Sequence, residues 1–240
     1  MKKALFVYLF VFMFLNTIHA QFYINPYSGI SFANTKIVQP SKYLVNFHND
    51  NPCFGLSFGY KNKKINHSLG YLYHTIGITY FIADLPYFGI GNGHKNVENH
   101  NIYYDFTYNL LKWRKLNINT GLSLYASKSI STSPSNNEIL FGLNEINNGI
   151  KVNGTIFLKT LPGKQFFVAP HIDIELQLLK KIAWNTNFSY MIGSRSIYTG
   201  TGNIALDNVQ QAEGKLKMDG SGLLINSGFK LYFKQKKPKE

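Results

Sequence analysis

Residues 165–195 alternate between two chemistries with period two, and few folds accept that pattern. Phe166, Val168, Pro170, Ile172, Ile174, Leu176 and Leu178 fall on one face. Phe167, Ala169, His171, Asp173, Glu175 and Gln177 fall on the other. After Lys180-Lys181 the pattern restarts, with Ile182, Trp184, Thr186, Phe188, Tyr190 and Ile192 opposite Ala183, Asn185, Asn187, Ser189 and Gly193. Successive side chains of a strand point to opposite faces, so this is the signature of two strands. Joined by a tight basic turn, they make a β-hairpin with one continuous apolar face. Such a hairpin is not stable alone and needs more strands beside it.

The rest of the chain supplies them. Segments 22–33, 53–60, 65–82, 101–111, 116–128 and 221–233 alternate in the same way. Two defects stand out. Pro26 lacks a ladder donor, which suits a bulge or a strand end. The apolar face of 65–82 changes parity near His74-Thr75, which predicts a bulge there. Segment 150–160 (IKVNGTIFLKT) lies within the longest connection, 129–164. It reads either as a hairpin projecting beyond the sheet or as an extra membrane strand.

Alternation alone does not say which face is inside, because a soluble barrel also alternates. Three features decide. The polar face carries Gly, Ser, Asn, Thr and a few acids rather than many Lys and Glu, as the narrow lumen of an eight-stranded barrel requires. The connections alternate in length: turns at 61–64, 112–115 and 180–181 are short, whereas 34–52, 83–100, 129–164 and 196–220 are long. Barrels of outer membranes have short periplasmic turns and long outer loops, and structureless loops of this size are uncommon in compact soluble domains. Charge also segregates. The chain has 25 Lys and Arg against 12 Asp and Glu. The excess lies in the three turns, with Lys61, Lys63, Lys64, Lys112, Arg114, Lys115, Lys180 and Lys181, and in the tail after Phe233. That places a basic collar on one rim, where it faces anionic head groups or simply suits exposed turns. The aromatic residues, 15% of the chain, cluster near strand ends as membrane girdles do. The expected fold is all-β: an eight-stranded antiparallel transmembrane β-barrel with short periplasmic turns and long outer loops.

Residues 1–20 read as a cleaved signal peptide, with Lys2 and Lys3 before an apolar run and Ile18-His19-Ala20 as the cleavage site. No other stretch approaches the roughly 20 apolar residues of a membrane-spanning helix. The organisation is then signal peptide 1–20, barrel 21–233 and basic periplasmic tail 234–240. The expected location is the cell outer membrane. Cys53 is the one cysteine, so no internal disulfide forms.

The eight alternating strands, the signal peptide and the final strand GLLINSGFKLYF resemble the small outer-membrane β-barrel proteins of the OmpA/OmpX type, without a peptidoglycan-binding domain. In that family a last strand ending in an aromatic residue is the signal read by the barrel-assembly machinery. The resemblance implies this role for Phe229, Leu231 and Phe233, although the basic tail departs from the family's terminal aromatic.

His171, Asp173 and Glu175 lie at i, i+2 and i+4 on the polar face, successive ones about 7 Å apart. Acids and a histidine at that spacing could bind a cation or exchange protons. The favoured reading is a lumen ion network with Asp105 and with Lys230 and Arg195 as cations, offsetting the burial of charge. It implies a plugged interior. His67-Ser68 is a faint echo of lipid A deacylases, which use a His/Ser/Glu group, but the spaced signature is absent. The run 89–95 (GIGNGHK) lacks the Lys-Ser/Thr ending of a phosphate loop. Three Asn-x-Ser/Thr matches carry no weight. No cofactor, metal or nucleic-acid partner is expected. Expected partners are outer-membrane lipid, the barrel-assembly machinery and an extracellular ligand of unknown kind. Sequence alone favours a non-enzymatic barrel with a structural or surface-interaction role through its loops. A narrow porin-like channel is the alternative, and a lipid A acyl hydrolase a weaker one.

Overall fold

A computed structural model describes residues 21–39, 44–47, 50–82, 95–131, 136–146, 150–161, 163–206 and 209–233. The expected signal peptide, the tail 234–240 and most of the Gly-rich run 89–95 lie outside them. The strands are β1 (Gln21–Gln39), β2 (Leu44–Phe47), β3 (Asp50–Asn62), β4 (Ile65–Ile82), β5 (Lys95–Trp113) and β6 (Leu116–Ser131). They continue as β7 (Asn136–Ile146), β8 (Ile150–Thr160), β9 (Gly163–Leu179), β10 (Ile182–Gly193), β11 (Tyr198–Leu206) and β12 (Val209–Tyr232).

Pairing runs β1-β3-β4-β5-β6-β9-β10-β12, and β12 returns to β1, so eight antiparallel strands close on themselves. Closure leaves no open edge in the wall, which a membrane requires because lipid satisfies no backbone polar group. Along β9, His171, Asp173 and Glu175 are buried inward, whereas Ile172 and Ile174 are 51% and 38% exposed. Ile102 on β5 is 62% exposed. The apolar face therefore points out, around the whole circumference, as alternation with a polar lumen demands. The two-residue turns at 63–64, 114–115 and 180–181 gather at one end, the turn end.

At the opposite end the wall continues past the barrel. The upper half of β12 leaves β10 and pairs with β11, β11 pairs with β8, and β8 pairs with β7. The departure falls at Gly220, whose φ of 76° is left-handed and suits glycine. Segment 150–160 is thus half of a projecting hairpin. The reading of it as an extra membrane strand is overturned, since neither β7 nor β8 pairs with a strand of the wall apart from the departing β11–β12 sheet.

Two smaller expectations are corrected. No bulge occurs at His74-Thr75: β4 runs in register with β5 from Ile65↔Tyr108 to Ile78↔Lys95. Parity changes because Leu72 and Ile76, apolar, point into the lumen on either side of the buried His74. Pro26 likewise needs no bulge. It stays in register with Leu56 of β3, and the gap in pairing falls on the β12 side.

Candidate functional site

The lumen is filled in storeys, and the lowest is charged. Glu175 points in from β9 and is 1% exposed at its side chain. Its Oε1 accepts from Lys61 Nζ at 3.0 Å and Asn117 Nδ2 at 3.1 Å; its Oε2 accepts from Lys230 Nζ at 3.1 Å and the Tyr232 hydroxyl at 2.9 Å. Two residues up the strand, Asp173 accepts from Lys230 Nζ at 2.9 Å, from Asn119 at 3.1 Å and from Asn185 at 3.1 Å. Two lysines thus face two carboxylates, and every carboxylate oxygen has a donor. That is the condition for a buried ion cluster to be tolerated.

Asp105 and His171 face each other one level higher. His171 Nε2 lies 3.4 Å from Asp105 Oδ1, within charge reach but without hydrogen-bond alignment. Asp105 is instead held by Ser123 at 2.7 Å and Thr107 at 2.8 Å. The five residues expected in the lumen network, Asp105, His171, Asp173, Glu175 and Lys230, therefore share one inner space. Arg195 does not join them. It lies exposed near the opposite end, where its Nη2 donates to the Leu161 carbonyl. The second cation is Lys61, which sequence reading placed in the rim turn. Its parity with Gly59 and Ser57 was the available signal, since it puts Lys61 on the lumen face.

Tyrosines close the space above the acids. Tyr103 and Tyr125 pack with ring centroids 5.0 Å apart, and Tyr27 donates to the Tyr71 carbonyl at 3.2 Å. The rings lie against glycines on neighbouring strands: a Cβ on Gly55 would meet Tyr27 at 2.1 Å, and one on Gly70 would meet Tyr103 at 2.4 Å. Glycine in these strands makes room for an aromatic ring in a lumen eight strands wide. What remains is a polar cavity of about 50 Å³ bordered by Asp105, His171 and Lys230. That is room for a few water molecules.

The storey at the far end is largely apolar, with His74, Asn99, Asn101 and Ser129 buried in it and bonded in pairs, His74 to Asn101 and Ser129 to Asn99. Leu72, Ile76, Val97, Phe167, Met191, Ile197, Met218 and Leu224 are each 3% exposed or less and pack as one cluster. Residues 194–197, between β10 and β11, fold across this end: Ile197 N donates to Met218 O and its carbonyl accepts from Leu161 N, both at 2.7 Å. Tyr198 donates to the Ile76 carbonyl at 3.0 Å. Cys53, fully buried, belongs to this cluster.

Phe229, Leu231 and Phe233 point outward and are 50%, 39% and 55% exposed. Phe233 N donates to Phe22 O at 2.9 Å, fastening the end of the last strand to the first. His67 faces outward against Tyr60, Tyr104 and Phe106, while Ser68 is buried in the lumen. Adjacent strand residues point apart, so these two form no catalytic pair. Among the described residues no group of three His, Cys, Asp or Glu side chains is placed to hold a metal ion.

A closed antiparallel barrel with an apolar belt, a filled lumen and short turns at one end is a small eight-stranded β-barrel of the outer-membrane type. No protein-family model and no curated protein matches the sequence. Among solved structures, the chain is similar to the outer membrane protein OprG from Pseudomonas aeruginosa, at 13% identity and a TM-score of 0.49, covering 90% of this chain and 97% of that one. It is similar also to Neisserial surface protein A, at 9% identity and a TM-score of 0.46, with 89% and 99% covered. A major outer membrane protein from Thermus thermophilus aligns at 12% identity and a TM-score of 0.42, with 90% and 100% covered. The architecture rests on the strand pairing of this chain itself.

Proposed function

We propose that the protein is a non-enzymatic barrel of the cell outer membrane that anchors an interaction surface at its extended end. One observation carries this reading. The sheet β12-β11-β8-β7 continues out of the wall, and β7 pairs only with β8 among the described residues. An unpaired edge presents backbone N–H and C=O groups to an incoming strand. Strand addition to such an edge is a recurring way of binding extended peptide. The ligand would then be an extracellular protein segment, held by a scaffold whose rigidity comes from the closed wall below.

The filled lumen supports this reading over a channel. A solute would have to displace the Lys61–Glu175–Lys230 cluster at one end and the packed, largely apolar cluster at the other. Export through residues 1–20 and assembly through Phe229, Leu231 and Phe233 belong to the same proposal, as does the surrounding lipid.

Two measurements test it. Refolded protein inserted in a planar bilayer should be electrically silent, and a steady, sizeable conductance would overturn the sealed lumen. A photoreactive residue at position 141 in β7 should crosslink to macromolecules outside intact cells, whereas one at position 174 should reach only lipid. Equal yields at the two positions would refute an interaction surface on the projecting sheet.

A further inference from the structure

The mouth at the turn end is a basic vestibule of about 250 Å³, and Lys61, Lys63, Lys112, Arg114 and Lys115 line it. Its floor is polar, with Asn109, Asn117 and Gln177. Only Lys61 among these cations is matched, by Glu175 at 3.0 Å. Among the described residues no carboxylate lies within 4 Å of Lys63, Lys112, Arg114 or Lys115. The nearest acids of the lumen, Asp173 and Glu175, are already neutralised by Lys230 and Lys61.

This concentration of charge is not an accident of exposed turns, because a bulge directs one lysine into it. The register of β5 against β6 shifts between Asn109 and Leu111. Leu110 and Leu111 consequently both face lipid, 60% and 53% exposed. Without the shift Lys112 would continue the alternation and face outward. With it, Lys112 stands opposite Asn117, which points into the lumen and bonds Glu175. Re-aiming a side chain is a known effect of such bulges. In the two turns flanking the mouth, Lys63 and Arg114 adopt φ of 50° and 51°. That region favours Gly or Asn, yet each turn carries a cation there.

We propose that this vestibule binds a soluble, multiply charged phosphate-bearing anion. A cleft of one sign of charge, walled by low-dielectric protein, focuses its field on the axis and concentrates counter-ions there. Lysine and arginine donors meet phosphate oxygens in charge-assisted hydrogen bonds. The vestibule lies on the barrel axis, bounded by inward-facing residues of the wall. Lipid head groups surround the wall from outside, so the aqueous phase is the source the geometry favours.

The test uses the full chain refolded in non-ionic detergent, with inorganic pyrophosphate titrated in and the fluorescence of Trp113 followed. Arg114 lies 5.8 Å from that ring and reports on the mouth. Saturable 1:1 binding is expected, weaker at higher salt. The double variant Lys112→Met/Lys115→Met should lose at least about tenfold in affinity, as expected when charge-assisted contacts are removed. Lys180→Met, in the turn that does not line the vestibule, should bind as the native chain does. Mobility of unboiled protein on a gel verifies folding of each variant. Absence of pyrophosphate binding, or binding equally strong in the double variant, overturns the proposal. Nanodiscs separate the sources: binding retained in both phosphatidylcholine and phosphatidylglycerol discs supports a soluble anion. Binding abolished by phosphatidylglycerol alone would assign the site to a lipid head group and overturn the soluble assignment.

Discussion

Replacing Lys230 with methionine should be among the most damaging single changes available in the lumen, and the size of the effect follows from its contacts. The Nζ atom lies 2.9 Å from Asp173 Oδ2 and 3.1 Å from Glu175 Oε2, and its side chain is 7% exposed against 6% and 1% for the acids. Removing one partner of a buried ion pair leaves an uncompensated charge and costs about 3–5 kcal/mol. One lysine here serves two buried carboxylates, so the upper part of that range is expected. Lys61 makes the useful contrast. Its side chain is 20% exposed, it touches one oxygen of Glu175, and Asn117 remains on that oxygen when it is gone. Lys61→Met should cost about 1 kcal/mol.

The decisive comparison is a neutral replacement of Lys230 together with both of its acids. Lys230→Met combined with Asp173→Asn and Glu175→Gln removes three of the four charges and leaves only Lys61, whose side chain is 20% exposed. Buried ion clusters exchanged for neutral groups are often energetically even. The triple variant should therefore recover most of the loss. The assay is urea unfolding of the refolded barrel in micelles, read by tryptophan fluorescence and by gel mobility without boiling. The reasoning fails if Lys230→Met is no worse than Lys61→Met, or if the triple variant is no more stable than the single one.

Two further outcomes test the assignment of faces. Ile174→Arg places a charge near mid-height on the lipid side and should cost about 2–4 kcal/mol, with failure to insert; normal insertion into vesicles would invert the inside and outside of the barrel. Phe166 and Phe167 are neighbours, but the first is 64% exposed and the second 1%. Phe167→Ala should lower unfolding stability by about 3–5 kcal/mol, and Phe166→Ala should have a small fraction of that effect. Similar urea midpoints for the two would show that the apolar storey does not seal the lumen.

What was legible in the sequence follows from what alternation encodes. Period two sorts side chains onto faces, and lipid outside with small polar groups inside makes the two faces chemically unlike. His171, Asp173, Glu175 and Lys230 were therefore readable as lumen residues, and their mutual contacts follow from closure of the sheet. Where the two faces become alike, the signal fails. Leu72 and Ile76 are apolar inside a barrel that is also apolar outside, so the change of parity mimicked a bulge. Within 129–164 and 196–220 alternation is kept only in pieces, as in 150–160, so the strands there could not be assigned to the wall or to a projection from sequence.

The two bulges beside the turn end carried a signal of another kind. Leu110-Leu111 and Leu178-Leu179 are pairs of adjacent leucines placed just before a cationic turn, and in both pairs each residue is exposed to lipid. The register shifts at Asn109/Leu111 and at Ile182/Ala183 opposite Gln177 and Leu179 coincide with them. Two consecutive apolar residues at the end of an alternating strand are a contradiction unless the strand gains a residue there. Resolving it sends the next residue to the other face, and in β5 that residue is Lys112. The same reasoning accounts for Lys61, which needs no bulge because its strand keeps alternation to the end. The chemistry of the mouth is thus set by how each strand finishes rather than by how it crosses the membrane, and the basic collar seen in the sequence divides into cations that face the vestibule and cations that do not.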